Sequence, residues 1–184
     1  MIKQPEITMQ TKNNLADAFW QIYCEKRIEK ITVKEITTKA GYNRSTFYEY
    51  YTDVYDVLEQ IEASVLPDIE KHKKMIPNGS MRFPLKHLVE VYNKNKQYFI
   101  VLLGKNGDPA FQEKMKNTYK DLVRPMVKTY ESDDYKLECS LEYAMSAIIG
   151  VMTYCFTREE QPDIEKTVVL LNDFMNNGVI GLLK

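Results

Sequence analysis

The fold is decided by residues 32–58, which read TVKEITTKAGYNRSTFYEYYTDVYDVL. Thr32 and Glu35 form a capping box, because the threonine hydroxyl can accept from the third amide of a helix while the carboxylate reaches back. A short helix is therefore predicted over 33–40. Gly41 follows where that helix must end, and glycine alone enters a left-handed C-cap without steric cost.

A second short helix is predicted immediately after this turn. Asn43 is a good N-cap, and a helix over 44–51 places Phe47 and Tyr51 on one face. Two short capped helices joined by a glycine turn form a helix-turn-helix, whose second helix lies in the major groove of DNA. Spacing alone leaves a second interpretation open, a tight helical hairpin inside a bundle.

The second helix carries side chains that can bond DNA. An arginine can form two hydrogen bonds with guanine, and hydroxyl groups can bond a base or a phosphate. The side chains of this kind are Arg44, Ser45, Thr46 and Tyr48. Residues 26–48 carry six basic and two acidic side chains, a local excess that attracts phosphate. On charge alone, a solvated helical face explains the excess as well.

Helical periodicity extends over the rest of the chain, and no stretch shows the alternation of a β-strand. We predict an all-α fold of about nine helices, with an N-terminal three-helix helix-turn-helix head and a C-terminal helical bundle, the body. The head is predicted to be a DNA-binding domain over 1–52, and the body a ligand-binding and dimerisation domain over 53–184. The predicted helices cover 9–26, 33–40, 44–51, 53–66, 81–94, 96–104, 109–130, 134–157 and 162–183.

Composition and motifs argue against several other classes of protein. The 184 residues include 25 basic and 26 acidic side chains, and no apolar run approaches the roughly 18 residues of a membrane helix. With no secretory signal, we expect a cytoplasmic protein without membrane contact. Three dispersed cysteines predict neither a disulfide framework nor a metal site. The chain has no nucleophile motif and no glycine-rich phosphate loop, so we expect no enzyme activity and no cofactor.

The residues of the predicted head also resemble a known family. Three stretches carry the resemblance, TVKEI at 32–36, AGYNRSTFY at 40–48 and YTDVYDVL at 51–58. In order and without gaps, they are similar to the DNA-binding head of the TetR (tetracycline-repressor-like) family. The resemblance implies a homodimeric transcriptional regulator, usually a repressor, that binds a palindromic operator in double-stranded DNA. It also implies dimerisation through the C-terminal helices and, in many members, release of DNA when a small-molecule effector fills the body.

Carried over position by position, the resemblance implies a set of DNA contacts. Thr32 and Val33 match a helix start that touches phosphate, and Tyr48 matches a phosphate-contacting tyrosine. The complete set is Thr32, Val33, Asn43, Arg44, Ser45, Thr46, Tyr48 and Tyr50. Two positions depart from the family pattern, since Glu49 brings a carboxylate near DNA and Val54 replaces a phosphate-binding lysine. They leave an alternative function, a protein-interaction coregulator whose head no longer binds DNA tightly.

The helix predicted over 134–157 has two apolar faces, which indicates burial on two sides. One face suits the core of the subunit and the other suits a second copy of the chain. Together with residues of 162–183, we predict a dimer interface formed by Leu141, Ala144, Ile148, Val151, Val168, Leu171 and Phe174. A helix buried entirely within one monomer is the alternative.

Bulky and adaptable side chains in the body are candidates for an effector pocket. They are Tyr92, Phe99, Leu103, Phe111, Met115, Tyr119, Met126, Met145 and Met152. The same residue types fill any helical core, and no polar constellation among them identifies a class of ligand. The sequence therefore supplies a hypothesis about the position of a pocket but not about its chemistry.

Overall fold

A computed structural model describes residues 5–66, 85–127, 133–158, 160 and 162–179. These residues form eight α-helices and no β-strand, so the predicted all-α fold is confirmed. The helices are α1 (Pro5–Tyr23), α2 (Val33–Ala40), α3 (Arg44–Tyr48), α4 (Val54–Val65), α5 (Leu85–Leu102), α6 (Pro109–Val127), α7 (Asp134–Phe156) and α8 (Ile164–Phe174). A 3₁₀ turn at Ile28–Lys30 precedes α2, and a wider π turn at Met175–Val179 follows α8.

The described residues form one helix fewer than the predicted nine, because α5 is bent but continuous. The sequence predicts separate helices over 81–94 and 96–104, whereas the structure has one helix with non-helical dihedrals at Asn95, φ −116° and ψ 15°. The Asn95 side-chain amide donates to the Val91 carbonyl at 3.1 Å. A side chain that enters the backbone ladder in this way bends a helix without ending it. Residues 81–84 lie outside the described residues.

The chain divides into two compact units, Met1–Ser64 and Val65–Lys184. We use the terms head and body for these two units from here on. In the head, α1 packs on α2 and α2 packs on α3, and in the body α6 packs on α7 and α5 packs on α8. The predicted division into 1–52 and 53–184 concerns roles in DNA and ligand binding, so it stays a prediction.

Aromatic and aliphatic side chains at helical spacing build the core of the head. Phe19 and Tyr23, one turn apart on α1, are fully buried, and their ring centroids lie 5.5 Å apart in a stacked arrangement. Phe47 of α3 is fully buried as well, and its ring centroid is 5.5 Å from that of Tyr51. The other fully buried members are Leu15, Ile36 and Val57. Burying each such side chain contributes about 1.5–3 kcal/mol, so this core stabilises helices too short to form alone.

In the body, α6 and α7 pair along an apolar seam with ion pairs at its edge. The seam contains a buried cluster formed by Val123, Leu137 and Leu141. At the edge, Glu142 of α7 accepts from Lys116 at 2.7 Å and from Lys120 at 2.9 Å, both on α6. These bonds, the Lys116 contact first, lower the pKa of the Glu142 carboxyl to about 2. Arg124 pairs in the same way with Glu138, so the two helices are joined by charge as well as by apolar contact.

One helix of the described residues is long and apolar enough to cross a membrane by length and composition alone. This helix is α7, whose most apolar window has a mean hydropathy of 1.3. Eight of its side chains are buried in the body, and Glu142 within it is paired with two lysines of α6. A core helix of a soluble protein passes the same test, so α7 is weak evidence for a membrane span.

Candidate nucleic-acid interface

The start of α2 is fixed by reciprocal hydrogen bonds. The Glu35 backbone N–H donates to Thr32 Oγ1 at 3.3 Å, and the Glu35 carboxylate accepts from the Thr32 backbone N–H at 2.9 Å. Lys26 donates to the same carboxylate at 2.5 Å. The Lys26 contact, followed by the two from Thr32, lowers the pKa of the Glu35 carboxyl to about 2. The predicted capping box is confirmed, and it holds Thr32 in an exposed position.

The turn between α2 and α3 contains the left-handed residue that the sequence predicts. Gly41 has φ 75° and ψ 25°, and its N–H donates to the Thr37 and Thr38 carbonyls at the end of α2. Tyr42 reaches back to α1, where its hydroxyl accepts from Asn14 Nδ2 at 3.0 Å. This contact ties the turn to α1 across 28 positions of sequence, and no periodicity in the sequence indicates it.

Asn43 caps α3 and gathers three donors on one oxygen. Its Oδ1 accepts from the Thr46 backbone N–H at 3.0 Å, from the Thr46 hydroxyl at 3.0 Å and from the Ser45 hydroxyl at 2.6 Å. Both hydroxyl hydrogens are therefore directed toward Asn43, while the oxygen lone pairs of Ser45 and Thr46 stay available as acceptors. Asn43 has the extended backbone expected of an N-cap.

The α3 helix has one face in the core and one in solvent. Phe47 is fully buried, and Tyr51, just beyond the helix, is buried with its hydroxyl donating to the Lys12 carbonyl at 3.2 Å. On the other side Arg44 is exposed, and Tyr48 is 57% exposed. The helix thus presents a cation and a phenol outward from a buried aromatic anchor.

The α3 helix ends at Tyr48, three residues earlier than the predicted 44–51. Beyond it, the Glu49 N–H donates to the Thr46 carbonyl and the Tyr50 N–H to the Phe47 carbonyl, three residues back in each case. Such bonds tighten the final turn and end a helix. Glu49 is exposed and Tyr50 is half-buried in this turn.

The residues predicted to bind DNA lie at the start of α2, at the N-cap and along the length of α3, and in the turn that follows α3. The exposed members are Thr32, Asn43, Arg44, Ser45 and Tyr48, and the half-buried members are Val33, Thr46 and Tyr50. The two helices that carry most of them pack on each other. Val54, which replaces the family lysine, is 9% exposed and belongs to the head core, so its side chain is not available to a phosphate.

The body contains a small apolar cavity of about 40 Å³, lined by residues of α5, α6 and α7. Five predicted pocket residues line it, namely Phe99, Met115, Tyr119, Met145 and Met152. Ile148, Ile149 and Phe156 complete the lining. Leu103 and Phe111 are buried but do not line the cavity. The side chains of Tyr92 and Met126 lie outside the described residues.

Four of the seven residues predicted for a dimer interface are buried within the body of a single chain. Leu141, Ala144, Ile148 and Leu171 are at most 4% exposed, which leaves them almost no surface for a partner. Val151 and Val168 are half-buried, and Phe174 is 60% exposed. Periodicity reveals two apolar faces on α7 but cannot decide which one turns inward. The large apolar side chains that stay exposed on α7 and α8 are Tyr135, Tyr143, Tyr154, Val169, Leu170 and Phe174.

Among the described residues, no three His, Cys, Asp or Glu side chains are grouped so that they could hold a metal ion. The cysteines are free thiols. Cys24 of the head and Cys139 of α7 are exposed, whereas Cys155 is buried with its Sγ 3.9 Å from Thr167 Oγ1.

Comparisons with known proteins agree with this architecture. A family model described as transcriptional regulator C-terminal region (TetR_C_8) matches residues 84–177. A solved TetR transcriptional regulator from Streptococcus agalactiae 2603V has a TM-score of 0.70 at 19% identity, over 92% of this chain and 95% of that one. The dihydroxyacetone kinase operon activator DhaS has a TM-score of 0.62 at 18% identity, over 92% of this chain and 96% of that one. The fatty acid degradation regulator FadR from Bacillus halodurans has a TM-score of 0.65 at 13% identity, over 97% of this chain and 98% of that one.

These likenesses to solved structures lie below 20% identity, so they show the fold and no more. No curated protein matches the sequence. The family model covers more than half of the 184 residues and describes a part of the chain that lies outside the helix-turn-helix. The chain therefore belongs to the TetR family of transcriptional regulators.

Proposed function

We propose that the protein is a homodimer that binds a palindromic operator in double-stranded DNA, represses the adjacent genes and responds to a small-molecule effector. The observation that carries this proposal is the α3 helix, which keeps Phe47 in the core while Arg44 and Tyr48 are exposed. A helix supported in this way can enter the major groove without any unfolding of the head.

The chemistry of the exposed side chains supports a role for each. Arg44 can donate two hydrogen bonds to guanine, and the Tyr48 hydroxyl can donate to a phosphate. Ser45 and Thr46 direct their hydroxyl hydrogens to Asn43, so we expect their oxygens to accept from the amino groups of cytosine or adenine. The remaining proposed contacts are Thr32, Val33, Asn43 and Tyr50.

Selection of bound duplexes from a random DNA pool tests the DNA-binding proposal. We expect the wild type to recover a palindromic site, and Arg44→Ala to lose about 1–3 kcal/mol of affinity and to relax the preference at one base pair of each half-site. Tyr48→Phe should weaken all sequences by a similar factor, because a phosphate contact carries no sequence information. Lys105→Ala, which removes an exposed cation of the body, is the matched control and should change nothing.

The alternative function, a protein-interaction coregulator, is suggested by the residues at the C-terminal end of α3. Glu49 is exposed there and repels phosphate, and the buried Val54 supplies no cation to offset it. A DNA-binding head should gain affinity from Glu49→Gln at low salt and lose affinity steeply as salt rises. A head that has become a protein-docking surface should recover no duplex at low salt, and Arg44→Ala should then have no effect on DNA.

Dimerisation is proposed through the exposed apolar residues of α7 and α8. Leu170 and Phe174 lie one turn apart on α8, while Tyr143 and Tyr154 lie three turns apart on α7. Exposed apolar groups in such number mark an interaction surface, and a palindrome requires two heads. Phe174→Glu should give monomers in sedimentation and abolish operator binding, whereas Phe174→Leu should preserve both. A monomeric wild type would contradict the proposal.

A reporter gene placed behind the selected operator tests the sign of regulation. We propose repression, so expression should rise when the regulator is absent. DhaS, a structural neighbour, is named an operon activator. A fall in expression when the regulator is absent would indicate that this protein is an activator as well. A cytoplasmic location is part of the same proposal, because a TetR-family regulator acts on DNA in the cytoplasm.

A further inference from the structure

Lys12 of α1 is held against Tyr51, which lies midway between the end of α3 and the start of α4. The Lys12 backbone carbonyl accepts from the Tyr51 hydroxyl at 3.2 Å, and the Lys12 ammonium lies 5.7 Å from the centroid of the Tyr51 ring. A cation at this distance from an aromatic face is attracted by the ring. Both ends of Lys12 therefore contact one side chain, which places a positive charge at the junction of α3 and α4.

This charge is not neutralised by an ion pair. Among the residues that the structure describes, the Lys12 ammonium contacts the Tyr51 ring and forms no salt bridge. The oxygens of Asp56 already accept from the Thr52 N–H at 2.8 Å, from the Thr52 hydroxyl at 3.3 Å and from the Gln60 amide at 2.9 Å. These bonds, the Gln60 contact first, lower the pKa of the Asp56 carboxyl, and the charge of Lys12 lowers it further. Lys12 therefore acts electrostatically on the first turn of α4 but keeps its N–H donors for another anion.

The junction itself is acidic. Glu49 and Asp53 are exposed and Asp56 is half-buried, while Val54 is buried in the head core. Residues 49–56 contain no lysine or arginine. Carboxylates at this edge repel a DNA strand that passes it, so a cation supplied from α1 offsets the repulsion.

The junction meets the sugar–phosphate backbone when α3 enters the major groove. A recognition helix contacts base edges with its N-terminal residues. The five residues of α3 span about 7.5 Å, which is less than the groove width of about 12 Å. The turn after α3 therefore borders the strand beside the groove, and the Lys12 ammonium lies at this turn.

We propose that the Lys12 ammonium binds a backbone phosphate of the operator, on the strand next to the turn between α3 and α4. The inference rests on the DNA binding proposed above and adds a contact from α1, whereas the contacts proposed there come from α2, from α3 and from the turn after α3. Because a phosphate carries no sequence information, Lys12 contributes to affinity and orientation but not to the choice of bases.

A salt titration of operator binding by the full chain tests the role of the charge. One phosphate contact contributes about 0.9 to the slope of log affinity against log salt. We expect Lys12→Gln to make the slope less negative by about 1.8 for a dimer with two heads, and Lys12→Arg to retain the wild-type slope. Lys105→Gln, which removes an exposed cation of the body, is the matched control and should leave the slope unchanged. If the urea midpoint of Lys12→Gln falls, Lys12→Met takes its place, because methionine keeps an apolar stem against Tyr51.

Operator duplexes that carry one neutral methylphosphonate locate the contact. The wild type should lose affinity on the order of tenfold at one phosphate of each half-site in about 0.1 M salt. Lys12→Gln should be insensitive to that substitution, while methylphosphonates elsewhere in the operator should affect both proteins alike. A lysine that only packs on Tyr51 or offsets nearby carboxylates would not single out one phosphate.

Two results would overturn this inference alone, with the wild type still bound to its operator. One is an unchanged salt slope in Lys12→Gln, and the other is equal sensitivity of the wild type and Lys12→Gln to every methylphosphonate. A wild type that binds no duplex at low salt would instead overturn the proposed function, and the Lys12 contact with it.

Discussion

Replacing Asn43 by alanine removes the N-cap of α3 and the three hydrogen bonds of 2.6–3.0 Å that its Oδ1 accepts. An N-cap of this type contributes about 1 kcal/mol, with a range of roughly 0.5–2. The Ser45 and Thr46 hydroxyls keep access to water, so we assign no further loss to them. We therefore expect the free energy of unfolding of the head to fall by about 1 kcal/mol in urea titrations followed by circular dichroism.

The same substitution should weaken DNA binding, because each head must form the capped helix before it can enter the groove. Because stability affects affinity through the fraction of heads in which α3 is formed, a loss of about 1 kcal/mol in each of two heads lowers operator affinity, measured by fluorescence anisotropy, by at most roughly 30-fold. Asp108→Ala is the matched control, since Asp108 caps α6, which carries none of the proposed dimer residues, by accepting from the Ala110 N–H at 2.8 Å. It should cost similar stability without changing operator affinity.

A serine at this position distinguishes capping from direct contact. Serine caps a helix about as well as asparagine but lacks the amide NH₂ group. If capping is the role of Asn43, Asn43→Ser should restore both stability and affinity. Restored stability with affinity still low would refute this reasoning and show that the amide of Asn43 touches DNA. Unchanged affinity in Asn43→Ala would refute it as well.

Two further predictions concern the head. Gly41→Ala should cost about 1 kcal/mol, because φ is 75° and the added Cβ meets nothing within 4 Å, so the cost lies in the backbone alone. Gly41→Asn should recover part of it, and an unchanged urea midpoint for the alanine variant would contradict the assignment. The folded pKa of Glu35 is about 2 against 4.5, so the stability that its carboxylate contributes is present above pH 4.5 and is lost as pH falls toward 2. The difference in urea midpoint between wild type and Glu35→Gln should shrink over that interval, and a difference independent of pH would exclude this role.

The head is the part of the fold that the sequence predicts in most detail, because its signals are local. Thr32, Gly41 and Asn43 act on backbone groups within four residues of themselves, and α2 has the predicted bounds. The early end of α3 depends on backbone hydrogen bonds after Tyr48 that no residue type in the sequence indicates. The contact of Tyr42 with Asn14 depends on how α1 packs, which a short pattern does not contain.

The body is less predictable, because the sequence does not show which side of each helix faces the core and which side faces solvent. The α7 pattern shows two apolar faces, but only packing places Leu141 inside and Tyr143 outside. The cavity poses the same difficulty, since Met145 lines it while the similarly bulky Phe111 packs elsewhere in the core. Helix α5 adds one more case, since the sequence pattern does not reveal that the helix continues through Asn95 with a bend.

The distribution of thiols makes the protein suited to site-specific spectroscopy. Cys24 and Cys139 are exposed, whereas Cys155 is buried beside Thr167 and should resist alkylation. In a Cys139→Ser background, a spin label on Cys24 would place one probe on each head of the proposed dimer. Burial and the neighbouring Glu25 raise the pKa of the Cys24 thiol, so labelling needs mildly alkaline buffer. The distance between the two labels would then report the spacing of the heads directly, both free in solution and on operator DNA.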